Sequence, residues 1–473
     1  MRTPLHLGRL WLASTLGLAG CSHYAHYESK PIAPADSAAV LDARSLASPE
    51  LRQFLAENLG HDLPAWPPAT WDFETLSWVA FRYNPALGVA RAQWDAARAG
   101  VAVAGARPNP TVSLVPGYNT NPPTGTSPWL PAISFDIPIT TAGKRDRQVD
   151  LAEFTAEAAR QAVFAAAWQV RSDLRHALID LEAASRRAAA FGSQTDLQRH
   201  ILSLLEQRRA QGAADAGESS AARLALARAE GAQADAAQQT VQARQRVAAA
   251  LGVPAAALAG AMLGIPERAP LSPGDLALAR RQSLQSRADV LAALARYEAS
   301  QRALALEVAR QYPDVHLGPG YQYDQGLDKW TLGLTFEVPL FNHNQGPVAQ
   351  AEANRAEAAA EFTAVQARAI SDIDGAAAAL AAADAQAENL RRLQAEISSE
   401  DARVQARLAA GGADRLESDT SRLDLAAGES ALVDAQAQAA LAAGQLEDAL
   451  QVPLARLSSL APSPDGAPVP PSP

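Results

Sequence analysis

Ala376-Ala377-Ala378-Ala379-Leu380-Ala381-Ala382-Ala383 lies inside a stretch, Val348 to Leu450, that is free of proline from Pro347 to Pro453 and dominated by alanine. Alanine has the highest intrinsic helix propensity, and this composition persists over a length few globular helices reach. Every seventh residue gives Phe362, Ala369, Ala376, Ala383, Leu390, Ile397 and Val404. An apolar seam at heptad spacing calls for a partner helix. The one interruption is Ala410-Gly411-Gly412-Ala413-Asp414, where two glycines permit a tight reversal and Asp414 can cap the next helix. Beyond it a second seam runs Leu425, Leu432, Ala439, Leu446, with Gly428, Ala435, Ala442 and Ala449 three residues after each. Small residues in that layer let two backbones approach closely. At about 1.5 Å per residue the first arm is roughly 90 to 100 Å long, so the stretch is a rod.

The rod occurs twice, about 199 residues apart. Asp215 and Glu218-Ser219 to Arg223-Leu224 match Asp414 and Glu417-Ser418 to Arg422-Leu423, and Ala229, Ala236, Ala243 and Ala250 repeat the small layer. Upstream, Arg107-Pro108-Asn109-Pro110 through Tyr118 corresponds to Arg310-Gln311-Tyr312-Pro313 through Tyr321. The chain is therefore divided into repeat 1, 73–270, and repeat 2, 271–457. Repeat 1 is read as short helices, strands at 110–118 and 129–138 and a coiled-coil hairpin at 144–252; repeat 2 has strands at 313–323 and 329–339 and a hairpin at 347–452.

Ahead of the repeats, Arg2 and Arg9 flank an n-region, Leu10 to Leu18 is an apolar run too short to span a bilayer, and Leu18-Ala19-Gly20-Cys21 follows. That tetrad resembles the lipobox of bacterial lipoproteins, which implies a signal peptide at 1–20 and lipidation of Cys21, the sole cysteine. One cysteine excludes a disulfide framework within the chain. Residues 21–72 read as an extended lead-in and 458–473, rich in Pro and Ser, as a disordered tail. The net charge of −10 does not suit a nucleic-acid binder. No HExxH, nucleophile elbow or phosphate loop is present, so neither an enzyme nor a cofactor is expected.

The strands carry the decisive pattern. Val315, Leu317, Pro319, Tyr321 and Tyr323 alternate with His316, Gly318, Gly320, Gln322 and Asp324; Trp330, Leu332, Leu334, Phe336 and Val338 alternate with Thr331, Gly333, Thr335 and Glu337. Alternation over about ten residues with aromatics near the ends is the pattern of transmembrane barrel strands, although a soluble antiparallel sheet with one buried face shares the period. Four strands cannot close a barrel alone, so a membrane sheet of this kind requires more than one chain.

Together these features resemble the TolC-like outer-membrane efflux factors over nearly the whole mature chain. Asn84-Pro85-Ala86-Leu87 and Arg287-Ala288-Asp289-Val290 open the two repeats as in that family. The corners Ile137-Pro138-Ile139 with Thr141-Ala142-Gly143-Lys144-Arg145, and Val338-Pro339-Leu340-Phe341-Asn342 with Asn344-Gln345-Gly346, look like those of its heavy-metal-efflux subgroup, and such corners also occur in members assigned to other exports. The resemblance implies a mainly α fold with a transmembrane β part: a homotrimer whose 12-stranded barrel, four strands per chain, continues into a periplasmic tunnel of coiled helices. It further implies an outer-membrane location, a periplasmic adaptor and an inner-membrane pump of the resistance-nodulation-division type as partners, and export of divalent heavy-metal cations, drugs or other small organic molecules. A purely structural, periplasm-spanning coiled-coil lipoprotein is the reading from another class.

Alternation places Asp136, His316, Asp324 and Glu337 on the face turned to the barrel lumen, where acidic residues would favour cations or simply wet the wall. Asp215 and Asp414, in the turns between coil arms, are candidates for the periplasmic aperture. Each is either a helix cap alone or also part of an acidic constriction.

Overall fold

The computed structural model describes residues 25–265 and 272–454. The signal segment, Cys21 and the tail at 458–473 lie outside the described residues. The chain divides into two compact units, Met1–Arg44 and Ser45–Pro473. Within the first, helix α1 (Pro34–Asp42) buries no side chain.

The second unit begins with a correction. Much of the segment expected to be an extended lead-in is helical: α2 (Pro49–Leu59) starts at Ser48, whose side chain accepts from the Leu51 N–H, and ends at left-handed Gly60. Pro49 stands at the first helical turn, where its missing N–H is no loss, so this proline starts a helix instead of breaking one. Leu51 and Leu55, one turn apart, are fully buried with Trp71, Leu76, Val79, Leu174, Leu178, Val247, Leu251 and Leu258 in the largest apolar core among the described residues. Trp66 packs edge-on to Trp71 at 5.8 Å between ring centres and donates from Nε1 to the Ala47 carbonyl at 3.0 Å. A two-residue strand β1 (Thr70–Trp71) pairs in parallel with β4 (Met262–Leu263), tying the start of repeat 1 to its end.

Repeat 1 comprises α3 (Phe73–Tyr83), α4 (Pro85–Ala104), β2 (Thr111–Tyr118), β3 (Trp129–Ile139), α5 (Lys144–Ala210) and α6 (Ala216–Leu251). Repeat 2 comprises α7 (Pro273–Ser286), α8 (Ala288–Ala309), β5 (Val315–Asp324), β6 (Leu327–Phe336), α9 (Gln345–Ala409) and α10 (Arg415–Leu450). With 67 and 65 residues, α5 and α9 are each about 100 Å long. Helix α5 packs against α4 and α6 on one side and α8 and α10 on the other, while α9 packs against α8 and α10. The helices thus form four columns, α4/α6, α5, α8/α10 and α9, and the sheet keeps the same sequence in its order β2-β3-β5-β6.

The seams explain the columns. On α9, Ala369 and Val404 of the seven-residue series are buried, and Ile373, Leu380 and Ala387, four residues after seam positions, complete the stripe. On α10, Ala435, Ala442 and Ala449 are buried with Ala439 and Leu446. Alanine contributes little apolar area, and its value lies in letting backbones come close enough for continuous contact. Position Gly252 shows how tight one joint is: it sits at φ 74°, and a Cβ there would lie 2.5 Å from the Tyr83 carbonyl oxygen.

Candidate functional site

The sheet is antiparallel throughout, and its register decides what each face carries. Thr111 pairs with Asp136 and Tyr118 with Trp129; Ile133 pairs with Tyr321 and Pro138 with His316; His316 pairs with Thr335 and Tyr321 with Trp330. Successive side chains point to opposite faces, so one face collects Val112, Leu114, Ile133, Phe135, Leu317, Tyr321, Trp330, Leu332, Leu334 and Phe336. The other carries Thr111, Ser113, Ser134, Asp136, His316, Gln322, Asp324, Lys329, Thr331 and Thr335. Among the described residues the apolar face is left open: Leu114 is 70 % exposed, Trp330 79 % and Leu332 73 %. Near one end of the hairpins it bears two aromatic pairs across strands, Tyr118 with Trp129 and Tyr321 with Trp330, at 5.1 and 4.9 Å between ring centres. The outer edges, β2 and β6, have no strand beside them among the described residues. No helix among the described residues is long and apolar enough to cross a membrane.

On the polar face the candidate residues fall into two groups. Asp136 is bridged by His316, whose Nδ1 lies 2.9 and 3.1 Å from its two carboxylate oxygens. Asp324 is neutralised by Lys329 at 2.5 Å. Glu337 follows the last residue of β6 and shares with His316 an open cavity of about 830 Å³ where the sheet meets the helices. The polar face is therefore less acidic than the four candidates alone suggest. Lys329, in register with Gln322, belongs to the same face by the same alternation and was the residue needed to see this.

Where the sheet joins the coils, the two repeats are pinned together. Lys144, almost fully buried at the start of α5, places Nζ 2.8 Å from Asp314 just before β5. The Thr141 N–H donates to the same carboxylate at 2.9 Å, and its hydroxyl to the Pro313 carbonyl at 2.6 Å. Further along α5, Arg175 is 2 % exposed and donates to the Gly444 carbonyl and the Asp448 carboxylate of α10, with Glu447 3.2 Å away. Arg171 approaches Glu447 at 2.5 Å and lies over the Phe73 ring. No sequence period announces this cluster, because its members sit on helices nearly 270 residues apart.

At the far end of the coils, Asp215 accepts from the Glu218 N–H at 2.7 Å and Asp414 from the Glu417 N–H at 2.8 Å, so both cap the helices that follow them. Asp414 also meets Arg208 of α5 at 2.7 Å. The Glu417 N–H, and with it the Arg208 guanidinium, holds the Asp414 carboxyl below the usual carboxylate range. A second link between the hairpins lies one to two turns inward, where His200 Nδ1 is 2.5 Å from buried Asp419.

A two-faced sheet joined to helical hairpins about 100 Å long is the protomer layout of an outer-membrane channel. The chain belongs to the outer membrane efflux protein family, whose sequence profile matches residues 79–253 and again 279–451, once in each repeat. It is similar to the cobalt-zinc-cadmium resistance protein CzcC of Cupriavidus metallidurans, 26 % identical over 263 residues, 55 % of this chain. That match spans 61 % of the relative's length, less than two thirds of it. The fold is shared with VceC of Vibrio cholerae, at 22 % identity over 81 % of this chain and 99 % of VceC with a TM-score of 0.65. CusC shares it too, at 16 % identity over 91 % of this chain and 99 % of CusC with a TM-score of 0.64.

Proposed function

We propose that the chain assembles as a homotrimer in which β6 of each copy pairs with β2 of the next, closing a 12-stranded barrel across the outer membrane, while the coil columns close in the same order into a periplasmic tunnel. The observation that carries this is the sheet itself: an exposed apolar face crossed by aromatics, a polar reverse face, and two unpaired edges. An open sheet edge has no partner for its backbone groups in hydrocarbon, so only closure with further copies makes such a sheet viable in a bilayer. The free lateral faces of α4/α6 and α9 lie at the same two ends of the chain's layer order as the free strands, which supports one rotation closing both parts.

The trimer is a passive conduit with no catalytic step. It receives cargo from an inner-membrane pump of the resistance-nodulation-division type through a periplasmic adaptor that meets the coil tips near Asp215 and Asp414. Its cargo is divalent heavy-metal cations, a reading supported by the similarity to a cobalt-zinc-cadmium resistance protein. Acylation at Cys21 adds an anchor in outer-membrane lipid to a protein already held by its barrel. Extraction from outer membranes and planar-bilayer recording test the channel: a heat-modifiable trimer that conducts supports it, and a salt-extractable helical rod without conductance refutes it. Deletion of the gene tests the cargo, with sensitivity to zinc, cadmium or cobalt expected. Sensitivity to organic compounds alone overturns the metal reading.

A further inference from the structure

We propose that His316, oriented by Asp136, is a transient binding site for borderline divalent cations such as Zn2+ and Cd2+ on the wall of the conduit. This deepens the channel reading and rests on it, since it takes the polar face as the lumen. Asp136, on β3 in repeat 1, and His316, on β5 in repeat 2, meet across adjacent strands with Nδ1 2.9 and 3.1 Å from the two oxygens. An ionised carboxylate only accepts hydrogen bonds, so Nδ1 carries the proton and the lone pair of the neutral ring is on Nε2. Nε2 has no hydrogen-bond partner among the described residues, and both side chains are close to half exposed, at 44 % and 48 %. A carboxylate on one imidazole nitrogen fixes the tautomer and raises the basicity of the other, which is the usual outer arrangement of a metal-binding histidine.

The surroundings decide the sign of what binds. The cavity beside His316 contains Lys144, Arg145 and Arg310, which taken alone would suit an anion. Each is matched by a carboxylate: Lys144 by Asp314 at 2.8 Å, Arg310 by Glu307 at 2.6 Å and Arg145 by Asp146 at 3.5 Å. Glu337 lines the same cavity and has no ion-pair or hydrogen-bond partner among the described residues. A free imidazole nitrogen and an unmatched carboxylate on the wall of one cavity offer a nitrogen and an oxygen donor, with water completing the shell. Imidazole selects zinc-like ions over the hard, strongly hydrated Mg2+. Two protein donors make a weak site, which suits a wall that cargo must leave.

Planar-bilayer conductance of the full-length trimer reads this directly. Wild type is titrated with ZnCl2 and CdCl2, with MgCl2 in parallel, and Zn2+ and Cd2+ are expected to reduce conductance at concentrations where Mg2+ does not. His316→Gln should raise the half-blocking Zn2+ concentration by about tenfold or more, and Asp136→Asn should raise it by about tenfold. Block by Mg2+ equal to that by Zn2+ in wild type, or unchanged Zn2+ block in a conducting His316→Gln trimer, overturns the site. The wild-type comparison needs no variant to fold. Conducting channels without Zn2+ selectivity refute the site alone, whereas a protein that never conducts refutes the channel reading beneath it.

Discussion

Arginine in place of Leu334 puts a charge on the face assigned to lipid, and arginine in place of Thr335 puts the same charge one residue along on the opposite face. Leu334 is 61 % exposed in the chain, pairs with Leu317 and lies between Trp330 and Phe336 on the apolar face. At about 3.4 Å per residue it is roughly 14 Å along the strand from Trp330 and roughly 7 Å from Phe336, inside the apolar band. An arginine near the midplane of a barrel's lipid face costs about 2 to 4 kcal/mol. Three copies in one trimer would bear about 6 to 12 kcal/mol, a load comparable with the whole stability of many folded domains. Thr335 lies beside His316 on the polar face, where a guanidinium stays in water near Glu337. The assay is the yield of heat-modifiable trimer in outer membranes, with total protein measured in parallel. Leu334→Arg should nearly abolish the trimer and Thr335→Arg should leave it close to wild type. Equal loss at both positions, or at neither, would refute the assignment of the two faces.

Three further outcomes follow from the joints and the tips. Arg175→Leu should lower trimer stability by about 1 to 3 kcal/mol in denaturant melts, because it leaves half-buried Asp448 with the Ser172 hydroxyl and Glu447 with Arg171. Gly252→Ala should destabilise by at least about 1 to 2 kcal/mol through its left-handed φ of 74°, and more through the 2.5 Å approach to the Tyr83 carbonyl oxygen; Gly231→Ala, with open space around it, should be neutral or stabilising in the same melts. Asp414→Ala should cost about 1 kcal/mol of cap and Asp414→Asn much less. The lowered carboxyl of Asp414 contributes stability that is fully present above its unfolded-state value and is lost as pH falls through the folded one, so hydrogen-exchange protection factors at the tip, corrected for the intrinsic rate at each pH, should fall on acidification in wild type and less in Asp414→Asn.

The helical half of the fold was legible because its signal is local and periodic. Proline-free alanine tracts gave the rods, Gly411-Gly412 gave the reversal of the second hairpin, and Asp215 and Asp414 announced their own capping bonds. Strand faces were equally readable, since alternation needs no knowledge of the partner strand. The lead-in was misread because Leu51 and Leu55 find their burial only against residues as distant as Leu258. For the same reason Lys144 with Asp314 and Arg175 with Asp448 were invisible: an ion pair between repeats depends on packing and not on spacing. On the polar face, alternation placed His316 and Asp136 together, but only the strand register shows that they touch.

A closed trimeric barrel requires β6 of one copy to meet β2 of another. Paired cysteines placed on β2 at Ser113 or Val115 and on β6 at Thr331 or Thr335, in a chain whose natural cysteine is Cys21 alone, allow that edge contact to be captured by oxidation in intact outer membranes. At the correct register a closed trimer yields covalent dimers and trimers and no larger ladder. A cross-link formed within a single chain, a ladder running past three copies, or no cross-link at any register would contradict it.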